Sequence, residues 1–527
     1  MAEFYPILRG MPPASGGAAE VGGKAWNLMR MAQIGLPVPP AFVLPTTWRQ
    51  RSLPQSEPAL RAALIQGIET LEVATGFNFG RSRHSLLVSV RSGAAISMPG
   101  MMETVLDVGL NAETVDGLVR LTGNPRLAWD SYRRLIQGYA EVVAGLPTAP
   151  FDALVAEALT QADAATEREL DHRDLRRLTA KMLECYRGLT RSAFPSDPHE
   201  QLAAAAAAVF RSWDAPKAAS YRRLNGLSDD AGTAVTVQTM VYGNAGGASG
   251  AGVAFTRNPA TGAHELYFDF RFNAQGEDVV AGRQRLGDNE RLRGTLPDIW
   301  RRLGEVSQDL EALAGDAQDF EFTVQSAKLY LLQTRRAKRT DWAALTIAVD
   351  MVEEGLLTPA KALALLDGVK LDQVVRTSFA PPSLQPLTIA EVAGMGVACG
   401  VLALDSDAVK RASAAGTPAI LARQETVTAD IEGMALAAGI LTATGGRTSH
   451  AAVVARQLGK VCLVACPNLR IDLAKRQCQI GETLLSEGDF LSLDGNSGAV
   501  YAGKLEPVIE RPESALRAIA GWRRSAA

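Results

Sequence analysis

His450 stands in the run GILTATGGRTSHAAVVARQLGK, Gly439 to Lys460, in a position suited to carrying a phosphoryl group. Ile440 and Leu441 close a short apolar stretch, Gly445 and Gly446 make a turn, and Ala451, Val454, Ala455 and Leu458 recur with helical spacing. The histidine thus opens a predicted helix. The first amides of a helix lack partners and its dipole is positive there, so an anion is favoured, a phosphate bonded to the imidazole included. A plain helix cap is the other role this junction allows.

Other stretches could hold phosphate. VGGKAWNLMRMAQIGLPVPPAF (Val21 to Phe42) sets Gly22, Gly23 and Lys24 ahead of a predicted helix with Leu28, Met31 and Ile34 on one face. Glycines let amides approach phosphate oxygens and the lysine adds a mobile charge, although this is not a Walker A motif. In LLVSVRSGAAISMPGMMETVLDVGLN an alternating strand breaks at Arg91-Ser92-Gly93, where Arg91 could clamp phosphate oxygens or make a surface ion pair of little worth. VTVQTMVYGNAGGASGAGVAFTRNPATG joins two strand-like runs through a loop with Gly243, Gly246, Gly247, Gly250 and Gly252. Such a loop can lie over a triphosphate while Gln238 to Val241, Met240 among them, offer backbone groups to a base edge; a mobile turn has the same composition.

QDFEFTVQ followed by KLYLLQTR suggests a metal. Strand alternation puts Asp319 and Glu321 on one face and Phe320, Phe322 and Val324 on the other, and Gln333 and Arg335 likewise share a face. A hairpin could gather these groups, and hard oxygen ligands beside an arginine suit Mg²⁺ bridging phosphates. An amphipathic hairpin with a solvated face is the alternative.

The elements that must position these residues form an α/β multidomain chain. With 527 residues and 47% hydrophobic content it can bury several cores. The expected units are a nucleotide-binding domain over 1–340 with a helical insertion at about 111–211, and a helical linker over 341–386. An α/β unit around His450 over 387–505 and a terminal helical segment over 506–527 follow. The alanine run Leu202 to Phe210 predicts a buried helix. A net charge of -3 gives no basic footprint for nucleic acid. No apolar stretch spans a bilayer and the N-terminus lacks a signal-peptide core, so the cytoplasm is expected and a membrane is not. Cys185, Cys399, Cys462, Cys466 and Cys478 make no paired framework and no zinc spacing, which predicts free thiols.

Taken together, SVRSGAAISMPGMMETVL, GVAFTRNPATG, NAQGEDVVAG, QTRRAKRT, AVDMVEEGL and GGRTSHAAVVAR closely resemble the pyruvate, phosphate dikinase family, from Gly22 through Val500. The resemblance implies an ATP-grasp-type nucleotide domain and a swivelling phosphohistidine domain. It implies Lys24, Arg91 and Arg335 as phosphate contacts, Glu321 and Gln333 as magnesium ligands with Asp319 beside them, and His450 as nucleophile. Glu277 would face the ribose, Gln238, Met240 and Val241 the base, and Gly250 and Gly252 would belong to the phosphate lid. ATP would pyrophosphorylate the histidine and release AMP. Inorganic phosphate would then take the outer phosphoryl as pyrophosphate.

Three departures from the family pattern stand out. The β/α barrel that binds pyruvate or phosphoenolpyruvate is missing, which leads to the expectation of a separate barrel protein or another phosphoryl acceptor; a homodimer is one outcome for oligomeric state. The lid reads GNAGGASGAG, without the family's acidic pair and threonine, and Thr444 and Arg447 replace the usual arginine and methionine. Two rival readings follow: a phosphotransferase with an unrelated small-molecule or protein acceptor, and a non-catalytic regulator that binds nucleotide as a switch.

Overall fold

A computed structural model describes residues 3–50, 53–95, 103–224, 226–276, 288–380, 385–427, 430–445 and 450–526. The architecture is mixed α/β and multidomain. The chain divides into two compact units, one of Met1–Gly250 with Phe320–Arg335, the other of Ala251–Asp319 with Arg336–Ala527.

The first unit is built on a five-stranded sheet in the order Tyr5–Ile7, Ala41–Leu44, Ala234–Thr239, Val88–Gly93, Thr104–Val108, with every neighbour antiparallel. Alternation gives it two distinct faces. Phe42, Leu44, Val88, Val90, Val235 and Val237 join one apolar core with Leu60, Leu64, Ile68 and Leu71 of Leu53–Thr75 and Leu202, Val209 and Phe210 of Pro198–Ser212. Each fully buried side chain of this size contributes about 1.5–3 kcal/mol. Ser89, Arg91, Thr236 and Gln238 alternate with those valines, and the helix Gly17–Gln33 packs on the same two strands. That polar strip carries the candidate residues Arg91 and Gln238.

Among the described residues no strand occurs between Val108 and Ala234; six α-helices fill the interval, from Thr114–Thr122 to Pro216–Leu224. They have local start signals: Asn124 accepts from Leu127 N–H, and Asp171 with Asp174 closes a capping box on His172–Thr190. Helical chain continues beyond Arg211, because Pro216 opens a further helix. The alanine-rich helix is buried as expected, with Ala205 and Ala206 fully enclosed.

The second unit holds an eight-stranded sheet whose central strands Val397–Ala403, Ala419–Arg423, Gly439–Thr442 and Val461–Val464 run parallel. Crossover helices follow from that direction. Ile440, Cys462 and Val464 face Val409, Met434, Ala451, Ala452 and Ala455 of the helices, while Leu441, Leu463, Leu491 and Leu493 fill a second core. Helices Asp341–Glu353, Pro359–Leu365 and Glu513–Ala526 share a third cluster around Ile347, Met351 and Ile519. Arg376–Phe379 and Pro507–Glu510 pair as an antiparallel ribbon, Arg376 opposite Glu510 and Phe379 opposite Pro507.

All five cysteines are free. No helix among the described residues is long and apolar enough to cross a membrane.

Candidate functional site

Lys24, Arg91, Glu321 and Arg335 come together in the first unit. The sequence places Gly22 to Lys24 ahead of a helix; in the structure the helix begins at Gly17 and breaks at Gly22, whose φ of +78° and ψ of 152° are not helical. The break is steric. A Cβ on Gly22 would stand 2.0 Å from the Gly93 carbonyl oxygen, and Gly23 N–H donates to Ala94 O at 2.9 Å. The two glycines therefore press the helix against the end of Val88–Gly93 rather than lining a loop, and this brings Lys24 beside Arg91.

Lys24 is largely buried, and its amine is pushed down to about 8 by loss of hydration and by the Arg91 guanidinium, with Glu321 opposing and Arg335 adding to the shift. No side-chain hydrogen bond or ion pair joins Lys24, Arg91 or Glu321 to another described residue. A poorly hydrated lysine thus stands close to two guanidinium groups and the Glu321 carboxylate, an arrangement that a polyanion would stabilise.

Glu321 and Arg335 sit on neighbouring strands, Gln318–Gln325 and Lys328–Arg336, joined through Ser326 and Ala327. Both linking residues have positive φ, +49° and +59°, as a two-residue hairpin of the primed type requires. Phe320, Phe322 and Val324 are fully buried, as alternation predicts. Asp319 and Gln333 are also buried, at 4% and 9% exposure. Their side-chain oxygens, like those of the partly exposed Glu321, are hard donors of the kind a magnesium ion takes.

The structure places two glycines of the expected lid differently from the sequence reading. Gly250 and Gly252 lie in the strand Gly250–Phe255, buried with Ala251 and Ala254, so the glycine loop ends at Ser249. On the base side, the Gln238 amide donates to Pro39 O at 3.3 Å, and Met240 N–H to Leu87 O at 2.9 Å. Those two donors are engaged inside the fold. Glu277 lies outside the described residues.

In the second unit, Gly439–Thr442, the helix His450–Gln457 and Val461–Val464 form a βαβ crossover. His450 therefore opens its helix at the carboxyl end of a parallel strand, where open α/β sheets place ligands. Thr444 is tied down, its N–H and Oγ1 both donating to Gln424 O at 3.0 and 2.9 Å. The His450 side chain and residues 446–449, Arg447 included, lie outside what is described.

Sequence reasoning misses one cluster. Arg257, wholly buried, donates Nε and Nη2 to Glu311 at 2.9 and 2.8 Å and Nη1 to Glu354 Oε1 at 3.2 Å, while His264 Nδ1 meets Glu354 at 2.9 Å. Ligand atoms of His264, Glu311 and Glu354 lie within 4.8 Å of one another. The guanidinium already supplies their countercharge, so the cluster reads as a structural tie.

Residues 57–290 match the family model of the pyruvate phosphate dikinase AMP/ATP-binding domain, and residues 416–498 that of the PEP-utilising enzyme mobile domain. The chain is similar to pyruvate, phosphate dikinases over most of its length. It is 43% identical to pyruvate, phosphate dikinase from Clostridium symbiosum over 493 residues, covering 92% of this chain and 56% of the relative. It is 42% identical to pyruvate, phosphate dikinase 2 of Zea mays over 494 residues, 92% of this chain and 55% of that one. The chloroplastic pyruvate, phosphate dikinase of Flaveria trinervia is 42% identical over 493 residues, 92% and 51% of the two chains. The chain spans about half the length of the curated relatives it matches. Arg91, Gln238, Met240 and Val241 fall within the dikinase nucleotide-domain match and His450 within the mobile-domain match; Lys24, Glu321 and Arg335 lie outside both.

Proposed function

We propose that this chain is a pyruvate, phosphate dikinase-like phosphotransferase that loads a phosphoryl group from ATP onto His450. The observation that carries the reading is the convergence of Lys24, Arg91, Arg335 and Glu321, with the Lys24 amine depressed by burial and by the neighbouring guanidinium, a setting that the phosphates of a bound nucleotide would stabilise. An ATP-grasp-type domain over 1–340, a linker over 341–386 and a swivelling phosphohistidine domain over 387–505 are the division that suits this task.

The neutral imidazole attacks the β phosphorus, the bond from that phosphorus to the α,β-bridging oxygen breaks, and AMP leaves with the oxygen. Inorganic phosphate then attacks the γ phosphorus, releasing pyrophosphate and leaving phosphohistidine. Lys24, Arg91 and Arg335 hold the phosphate oxygens and stabilise charge as it shifts. Glu321, Gln333 and Asp319 would hold Mg²⁺, which neutralises the triphosphate when bound. The acceptor, pyruvate or another molecule, is met at a site outside these 527 residues, such as a barrel on a partner protein.

Incubation with ATP labelled at the β phosphate, with Mg²⁺ and phosphate, should release AMP and leave an acid-labile label on the protein. His450→Ala should abolish the label; label that persists in this variant refutes the reading.

A further inference from the structure

The glycine loop is fastened at both ends to the turn of the hairpin that carries Glu321 and Arg335. At its start, Tyr242 N–H donates to Gln325 Oε1 at 2.8 Å, and the buried Tyr242 hydroxyl donates to Asp107 at 2.9 Å. At its end, Ser326 N–H donates to Ser249 Oγ and Ala327 N–H to Ala248 O, both at 2.9 Å. Between these anchors Gly246 and Gly247 face open space, since a Cβ on either would meet nothing within 4 Å.

An independent flap needs ends that hinge on their own segment. Here the closing hydrogen bonds go instead to Gln325, Ser326 and Ala327, which continue directly into the strands bearing Glu321 and Arg335. We infer that loop and hairpin move as one body, and that Gln325 and Ser249 are positioning residues. They hold the Gly246–Gly247 crest in fixed register with the groups that meet metal and phosphate. This rests on the phosphotransferase reading for its substrate, MgATP, but the mechanical coupling does not depend on it.

The test uses the full chain with Gln325→Met, Ser249→Ala and, as the conservative partner, Gln325→Glu, whose carboxylate can still accept from Tyr242 N–H. Amide exchange is read together with the initial rate of single-turnover AMP release, phosphate present, whose half-saturation with MgATP is the KM. Gln325→Met and Ser249→Ala should speed exchange in 242–249 and 326–335 alike and raise KM for MgATP about tenfold, the equivalent of one lost hydrogen bond. Melting should shift little, and Gln325→Glu should restore both readouts. Faster exchange confined to the loop, or absent, overturns the coupling; joint exchange with unchanged KM overturns the positioning role. Should the wild-type chain release no AMP and take no label from ATP, the phosphotransferase reading fails, while the exchange data still decide the coupling.

Discussion

Gly22 and Gly93 touch through backbone alone, with only 2.0 Å between the Gly93 carbonyl oxygen and the place a Gly22 side chain would occupy. Gly22→Ala must therefore resolve both a clash and a left-handed φ of +78°. A loss of roughly 3 kcal/mol or more is expected, together with weaker nucleotide binding as Lys24 is displaced. Denaturant melts and calorimetry check this, and a variant as stable as wild type would contradict the steric account.

Nucleotide affinity should depend on pH through Lys24. Its amine sits at about 8 in the free chain, and a bound triphosphate raises that value because the anion favours the protonated form. Affinity is then full below about pH 8 and falls above it by up to about tenfold per pH unit. Folding stability runs the other way. Between about 8 and the ordinary 10.5 the unfolded chain binds the extra proton, so the folded state gains as pH rises through that window. Titrations on wild type and Lys24→Met separate the cases: an equally steep decline in Lys24→Met removes Lys24 from the explanation.

Arg257→Met should cost about 3–5 kcal/mol, because it strands the buried Glu311 carboxylate without countercharge and leaves the part-buried Glu354 with His264 alone. Protonation removes the charge of a stranded buried carboxylate, so the variant should recover stability as pH is lowered. Urea midpoints at neutral and acid pH measure both effects. Equal loss at every pH would show that packing, not charge, sets the penalty.

Ala327→Gly should stabilise the chain by about 1 kcal/mol. Ala327 is exposed and held at φ +59°, so the substitution removes left-handed strain and forfeits no packing. Differential scanning calorimetry reads the gain, and an unchanged or lower Tm would mean the turn carries no strain.

How much of this was legible depends on how far each cause lies along the chain. The buried face of Gln318–Gln325 is local alternation, so Phe320, Phe322 and Val324 could be read directly. The capped helices of 114–224 announce themselves through Asn124, Asp171 and their prolines. The break at Gly22 could not be placed, because its cause is the carbonyl of Gly93. The loop boundary also escaped, since Gly250 and Gly252 look like Gly246 and Gly247 until Ala251 and Ala254 are seen packed as strand. For Gln238 and Met240 the residues were visible but their partners, Pro39 and Leu87, were not. Arg257, Glu311 and Glu354 are three unremarkable charges in the sequence and one cluster in space.

The ribbon of Arg376–Phe379 against Pro507–Glu510 has a practical corollary. The strand that leads into the His450-bearing sheet and the one that leads out are zipped side by side, so a fragment bounded by Arg376 and Glu510 begins and finishes at neighbouring points about 5 Å apart. Such a piece is ready for transplantation: it can be spliced into a surface turn of an unrelated host, or circularly permuted with a short joining peptide, without stretching its own backbone.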